Sequence, residues 1–324
     1  MDALSDVLRI SRLSGGLFMR AELSAPWCVS TRILPSDCAP WLDDGSRLIP
    51  YHYVLDGSFR ARVPGGPPWE FQTGEVMLLP GNDLHLMGSD LAIAPVQAGE
   101  VVRRWSDGRL NTIEMGGGGA RTRLVCGYLA GRPMPGNPVF GALPAVLRFD
   151  SRPGVASDWI RTTFAFAADE ITAQRAGSTA TLAKLSELLF VEAVRRYAET
   201  LPEGQTGWFA GLRDPYVSRA LALLHARLSE PWTVDQLGRE VGLSRSALAE
   251  RFTQLIGSAP MQYLANWRMQ VAAQELTGGN QPLIRIAQAV GYDSEAAFGR
   301  AFKRIIKQSP AAYRRQAREP AADS

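Results

Sequence analysis

Between Thr233 and Arg315 the chain writes one short pattern twice, and the repeat restricts this region to paired helices joined by tight turns. The first copy runs from Leu237 through Val241, Gly242, Ser244 and Leu248 to Phe252. The second runs from Ile286 through Val290, Gly291, Ser294 and Phe298 to Phe302. In each, an apolar pair is followed at once by glycine, which ends a helix in the left-handed backbone that a side-chain carbon disfavours. Ser244 and Ser294 then predict caps for a second helix, because a serine hydroxyl accepts from free backbone N–H groups two or three residues on. Leu248 with Phe252, and Phe298 with Phe302, share one helical face and are expected to pack against the preceding helix. A Pro-x-x-Tyr follows each copy, at Pro260–Tyr263 and Pro310–Tyr313.

The opposite face of the second helix carries Arg245, Ser246, Ala249, Glu250 and Thr253 in the first copy, and Glu295, Ala296, Gly299, Arg300 and Lys303 in the second. Guanidinium, hydroxyl and carboxylate groups beside small residues suit a helix that enters the DNA major groove, where each base pair shows a distinct donor and acceptor pattern. One such pair alone reads equally well as an ordinary helical hairpin; two copies favour DNA. Charge agrees. Residues 214–318 hold 14 Lys and Arg against 8 Asp and Glu, a net of +6, so the remainder of a chain of net +3 carries −3. The excess thickens at Lys303, Arg304, Lys307, Arg314, Arg315 and Arg318, where cations would release counterions from phosphates.

With Ile286-Ala287 before Val290-Gly291-Tyr292, then Phe298-x-Arg300-x-Phe302-Lys303, Ser309-Pro310 and Tyr313-Arg314, the region from Asp214 to Arg315 resembles the AraC/XylS transcriptional regulators. The resemblance implies two helix-turn-helix units joined by a long helix at Gln262 to Leu276, with recognition helices beginning at Arg245 and Glu295. It also implies double-stranded DNA as partner, and RNA polymerase as a further one if the protein activates. The first recognition helix departs from the pattern in bearing Ser246, Ala249 and Glu250 where bulkier donors are expected.

At 324 residues the chain is too long for that module alone. From Leu4 to Phe149 it reads as short strands separated by Gly and Pro, including Val29–Ile33, Tyr51–Leu55, Ser58–Val63, Glu75–Leu79 and Thr122–Leu129, a pattern that predicts a sandwich or barrel. Gly74-x5-Pro80-Gly81-x3-His85, with Tyr51-His52 and Gly57 upstream, resembles the motifs of a cupin-like sensor domain. Apolar spacing then predicts two helices, one from Trp159 to Ile171 and one from Leu182 to Tyr197, broken at Gly177-Ser178. They can cover the apolar face of the sandwich, and the resemblance adds a two-fold dimer interface here.

The expected organisation is thus an α+β multidomain chain: a cupin-like sensor at 1–150, a helical dimerisation hairpin at 151–201, a linker at 202–213 and an all-α double helix-turn-helix domain at 214–318. His52, His85 and Cys126 fall on or beside cupin strands, and their donor types suit zinc or another transition metal, although the full cupin ligand set is absent. The alternative for these residues is a core histidine and an inert buried thiol. Redox sensing by Cys28, Cys38 or Cys126 is a further reading, requiring an exposed thiol of lowered pKa. His225 is expected on a helix surface. Gly116–Gly119 lacks the Lys-Ser/Thr of a phosphate loop and reads as a flexible loop.

No run reaches 18 apolar residues, the first residues lack a basic start before an apolar core, and three cysteines are an odd number; these features suit a cytoplasmic protein. The reading is a non-catalytic DNA-binding regulator controlled by a small-molecule, metal or redox effector. Two alternatives from other classes are a cupin metalloenzyme with a helical appendage and an architectural DNA-binding protein.

Overall fold

A computed structural model describes residues 2–34, 46–101, 111–132, 136–150, 155–173 and 175–316. The chain divides into two compact units: Met1–Arg12, Pro133–Ala142 and Ala198–Ser324 form one, and Leu13–Arg132 with Leu143–Tyr197 form the other.

The β unit is a sandwich. Its strands are β1 (Ser14–Ser24), β2 (Cys28–Thr31), β3 (Arg47–Asp56), β4 (Ser58–Arg62), β5 (Trp69–Gln72), β6 (Glu75–Leu78), β7 (His85–Gly88), β8 (Val96–Gln97), β9 (Asn111–Gly116), β10 (Arg121–Gly131) and β11 (Leu147–Asp150). One sheet has the order β11-β6-β3-β10-β1-β9 and the other β5-β4-β7-β2-β8. Alternation follows the pleat: β4 buries Phe59 and Ala61 and exposes Ser58, Arg60 and Arg62. Between the sheets lie Trp27, Val54, Phe59, Phe71, Met77, Leu124 and Cys126, among others.

Both faces of β10 are buried, so Val125 and Leu129 are as inaccessible as Leu124. The reason is a helical cover. Within the unit, α4 (Val155–Ala173) stacks Phe164 on Tyr53 with ring centroids 4.1 Å apart, and α5 (Ser178–Thr200) places Ser186 Oγ 2.9 Å from the Tyr51 hydroxyl. A side-chain carbon at Gly15 would meet the Ala183 backbone at 2.5 Å, so β1 touches α5 without an intervening side chain. The break between the helices falls at Gly177, in the left-handed region at φ 86°. Gly116–Gly119 is not a loose loop: Gly117 and Gly119 donate to the carbonyls of Ser24 and Ala25, and Gly118 donates to Ser24 Oγ.

The other unit is helical: α1 (Ala3–Ser11), α3 (Pro138–Ala142), α6 (Trp208–Arg213), α7 (Pro215–Ala226), α8 (Val234–Val241), α9 (Arg245–Ile256), α10 (Pro260–Gly278), α11 (Leu283–Ala289), α12 (Glu295–Ile306) and α13 (Pro310–Gln316); the short α2 (Ala98–Val101) belongs to the sandwich. Here the partition differs from the one read along the sequence. Helix α1 packs with α7 and α10 because Val7 and Ile10 need an apolar partner, which these helices supply. Half of the segment assigned as linker, α6, is also packed, burying Trp208 and Phe209. Asp214 caps α7, accepting from the backbone N–H of Tyr216 and Val217.

Candidate nucleic-acid interface and the buried core of the sandwich

Each copy of the repeat folds as a helix, a left-handed glycine and a capped second helix. Gly242 has φ 83° and Gly291 has φ 81°. Thr233 and Gln236 close a capping box on α8, while Ser244 accepts from Ala247 N and Ser294 from Ala297 N. Leu248, Phe252, Phe298 and Phe302 are fully buried. The Pro-x-x-Tyr sequences complete the equivalence: Tyr263 meets Phe252 edge-on at 5.7 Å, and Tyr313 meets Phe302 edge-on at 5.6 Å. Pro260 and Pro310 open α10 and α13, positions at which a missing N–H costs nothing.

With one face of α9 and α12 spent on packing, the other is free. Arg245, Ser246, Glu250 and Thr253 are exposed and Ala249 half-buried on α9; Glu295, Ala296, Arg300 and Lys303 are exposed and Gly299 half-buried on α12. Lys307, also exposed, ends α12 in the left-handed region at φ 69°, where the first copy has Gly257 at φ 80°. Among the described residues, Arg245, Arg300, Lys303 and Lys307 have no ion-pair partner, so their charge is available to a ligand.

His225 departs from the surface position expected of it. It is buried, not on the surface: its ring stacks on Trp267 at 3.9 Å and its Nε2 lies 2.8 Å from the Tyr263 hydroxyl. That hydroxyl also accepts from Trp208 Nε1 at 3.0 Å. His225 Nδ1 and Asp6 Oδ2 are 3.7 Å apart, and this pairing, with the Arg9 guanidinium 2.8 Å from Asp6 Oδ1, holds the Asp6 carboxyl below its ordinary range. Burial lowers the His225 pKa, with Asp6 opposing.

The sandwich core brings His52, His85 and Cys126 together. His52 and Cys126 are cross-strand partners on β3 and β10, and His85 comes from the facing sheet on β7. The contacts form a string: Cys126 Sγ lies 3.0 Å from His52 Nδ1, His52 Nε2 lies 3.1 Å from His85 Nε2, and His85 Nδ1 lies 2.9 Å from the Asp83 carbonyl oxygen. One tautomer set satisfies every link. His85 Nδ1–H donates to Asp83, His52 Nε2–H donates to His85, and the Cys126 thiol donates to His52. Every member is then neutral. Desolvation accordingly pushes His52 down to about 3, lowers His85, and raises Cys126 to about 12.

This arrangement does not fit one metal held by all three side chains. His52 turns one ring nitrogen to Cys126 and the other to His85, and two nitrogens of one imidazole cannot bind the same ion. Among the described residues no group of three His, Cys, Asp or Glu could hold a metal. The thiols do not match a reactive cysteine either: Cys28 and Cys126 are buried, and desolvation raises both. Cys38 lies outside the described residues. A separate cleft of about 530 Å³ opens between the sandwich and α4, lined by Tyr53, Leu55, Ser58, Gln72, Thr73 and Arg161, among others.

Two capped helices whose exposed faces carry unpaired arginines, repeated in tandem in one unit, with a β-sandwich as the other, define a helix-turn-helix regulator with a separate second unit. Known families agree: a family described as cupin matches residues 2–199, and a helix-turn-helix domain family matches residues 237–316. The chain is 31% identical over 323 residues to an AraC-like transcription regulator of Streptomyces lividans, covering 99% of this chain and 100% of that one. It is 28% identical over 318 residues to the transcriptional regulator AlkR of Acinetobacter baylyi, covering 98% and 100%. It is 24% identical over 320 residues to the RCS-specific transcriptional activator RclR of Escherichia coli, covering 98% and 99%. The chain belongs to the AraC-type transcriptional regulators that carry an N-terminal cupin domain.

Proposed function

We propose that the protein is a non-catalytic, effector-controlled regulator that reads base sequence with α9 and α12. The observation that supports this reading is the pair of capped helices whose outward faces hold unpaired Arg245 and Arg300. Arg245, Glu250 and Arg300 are the base-edge readers, with Ser246 and Glu295 as secondary contacts; arginine suits guanine and glutamate suits cytosine. Ala249, Ala296 and Gly299 let the backbone approach, and Thr253, Lys303 and Lys307 face phosphates. Arg300→Ala is expected to cost about 1–3 kcal/mol of binding and to relax selectivity at one base position. Selection from a random duplex library checks this, and a uniform loss for all sequences would make Arg300 a phosphate contact.

Lys307→Gly has two expected effects of opposite sign. Relief of the left-handed backbone, less the entropy of a new glycine, stabilises by about 0.5–1 kcal/mol. Loss of one phosphate contact lowers the salt slope by about 0.9. A thermal melt and a salt titration read them separately, and an unchanged slope removes Lys307 from the footprint.

The working form is a cytoplasmic homodimer. Trp159 and Phe166, seven residues apart on α4, and Leu188 on α5 are exposed large apolar side chains that a second copy would cover. Control enters through the cupin unit by favouring one arrangement of the regulator, limited by the effector's difference in affinity between the two. Burial of the thiols and the strung-out histidines weigh against a three-ligand metal or a directly oxidised Cys126. The cleft beside α4, lined by Leu55, Ser58, Gln72, Thr73 and Arg161 among others, supports a small organic effector instead. An activator of this kind would also meet RNA polymerase.

A further inference from the structure

The two copies of the repeat are alike in backbone and unlike in what their turns touch. At Gly242 an added side-chain carbon would meet nothing within 4 Å. At Gly291 it would lie 2.7 Å from the Ser229 carbonyl oxygen and 2.7 Å from Arg268 Nη2. Ser229 belongs to the segment that leads from α7 into α8, in the first helix-turn-helix unit. The turn of the second unit is therefore pressed against the first.

Arg268, in the middle of α10, closes the same seam. Its Nε donates to the Leu228 carbonyl at 2.9 Å and its Nη2 to the Glu230 carbonyl at 2.7 Å, both in the first unit's segment. Its Nη1 reaches the Gly291 carbonyl at 3.4 Å, and the guanidinium lies 5.8 Å from the centre of the Tyr292 ring, both in the second unit's turn. A planar fork of five N–H donors can span carbonyls in several directions at once, which a lysine ammonium cannot reproduce. Leu228 adds an apolar contact from the same segment to the core of the second unit, around Phe298 and Phe302.

We propose that Arg268 and Gly291 are positioning residues that lock the two helix-turn-helix units at one separation and so set the spacing the protein accepts between the DNA segments read by α9 and α12. The inference rests on the reading that both helices contact bases. One inserted base pair moves the second segment by about 3.4 Å and turns it by roughly 35°, so a rigid protein rejects it and a loosened one follows it.

The test begins with full-length wild-type protein and a random duplex library, to obtain the preferred sequence. Duplexes with one base pair inserted or removed between its two blocks are then bound by wild type, Arg268→Ala, Arg268→Lys, Gly291→Ala and Gly242→Ala. Gly242→Ala carries the same left-handed strain without the seam and controls for loss of stability. Wild type and Gly242→Ala are expected to lose at least about tenfold in affinity on insertion, and the Arg268 and Gly291 variants no more than about threefold. Arg268→Lys keeps the charge and loses the fork, so it remains informative if Arg268→Ala does not fold. Equal spacing penalties in all folded variants would overturn the proposal. A library that yields no two-block sequence for wild type would instead overturn the reading on which it rests.

Discussion

Acidification from pH 7 to pH 5 is expected to destabilise the cupin unit steeply. His52 is held neutral by burial, with its folded pKa pushed to about 3 from an ordinary 6.5, and His85 is lowered for the same reason. Above pH 6.5 neither state binds a proton at these sites, so the fold loses nothing. Below pH 6.5 the unfolded chain takes up protons that the folded core refuses, and stability falls until the pH nears the folded values. The slope is on the order of 1 kcal/mol per pH unit for each histidine. Denaturant titrations of the sandwich at pH 7, 6 and 5 measure it. His52→Gln should remove about one proton from the slope, whatever it does to stability at pH 7. A flat profile in wild type would mean that the two imidazoles are not buried neutral partners.

Phe302→Ala is expected to cost about 3–5 kcal/mol and to unfold the second helix-turn-helix unit before the first. Phe302 is fully buried, lies 5.6 Å from the Phe298 ring centre and meets Tyr313 edge-on, so truncation opens a cavity where three aromatic rings converge. The variant should keep binding with the base preferences of α9 alone. Hydrogen exchange would show early loss of protection in α11 to α13, and Phe252→Ala should mirror it in α8 and α9. A cost below about 1 kcal/mol would show that the core can collapse around the missing ring.

The double helix-turn-helix was legible because its signals are local. Glycine ending a helix, serine starting the next and aromatic residues four apart all act within one or two turns, and the repeat doubles each signal. The strands near Tyr51, Ser58, Glu75 and Thr122 were legible for the same reason. What lay hidden depends on distant partners. His225 sits at the edge of the apolar stripe of its helix, four residues after Leu221, and it takes α1, more than two hundred residues earlier, together with Tyr263 and Trp267, to close that edge over. Gly242 and Gly291 look interchangeable in sequence, since both answer the same backbone demand; the contact with Ser229 that separates them is tertiary. Arg268 falls on the connecting helix expected at Gln262 to Leu276, and nothing local marks the Leu228 and Glu230 carbonyls that it reaches. His52 and His85 fall in the cupin-like motifs and Cys126 on a later strand, but spacing along strands does not say which ring nitrogen faces which partner, and that detail weighs against a shared metal.

If α9 and α12 both read DNA, each leaves its own mark on one duplex. A chemical footprint of wild-type protein on its selected duplex, with Arg245→Ala and Arg300→Ala alongside, separates the two. Two protected major-groove segments about one helical turn apart, roughly 34 Å, are expected, with each variant losing protection in a different segment. A single protected segment, or protection that ignores sequence, would contradict that reading.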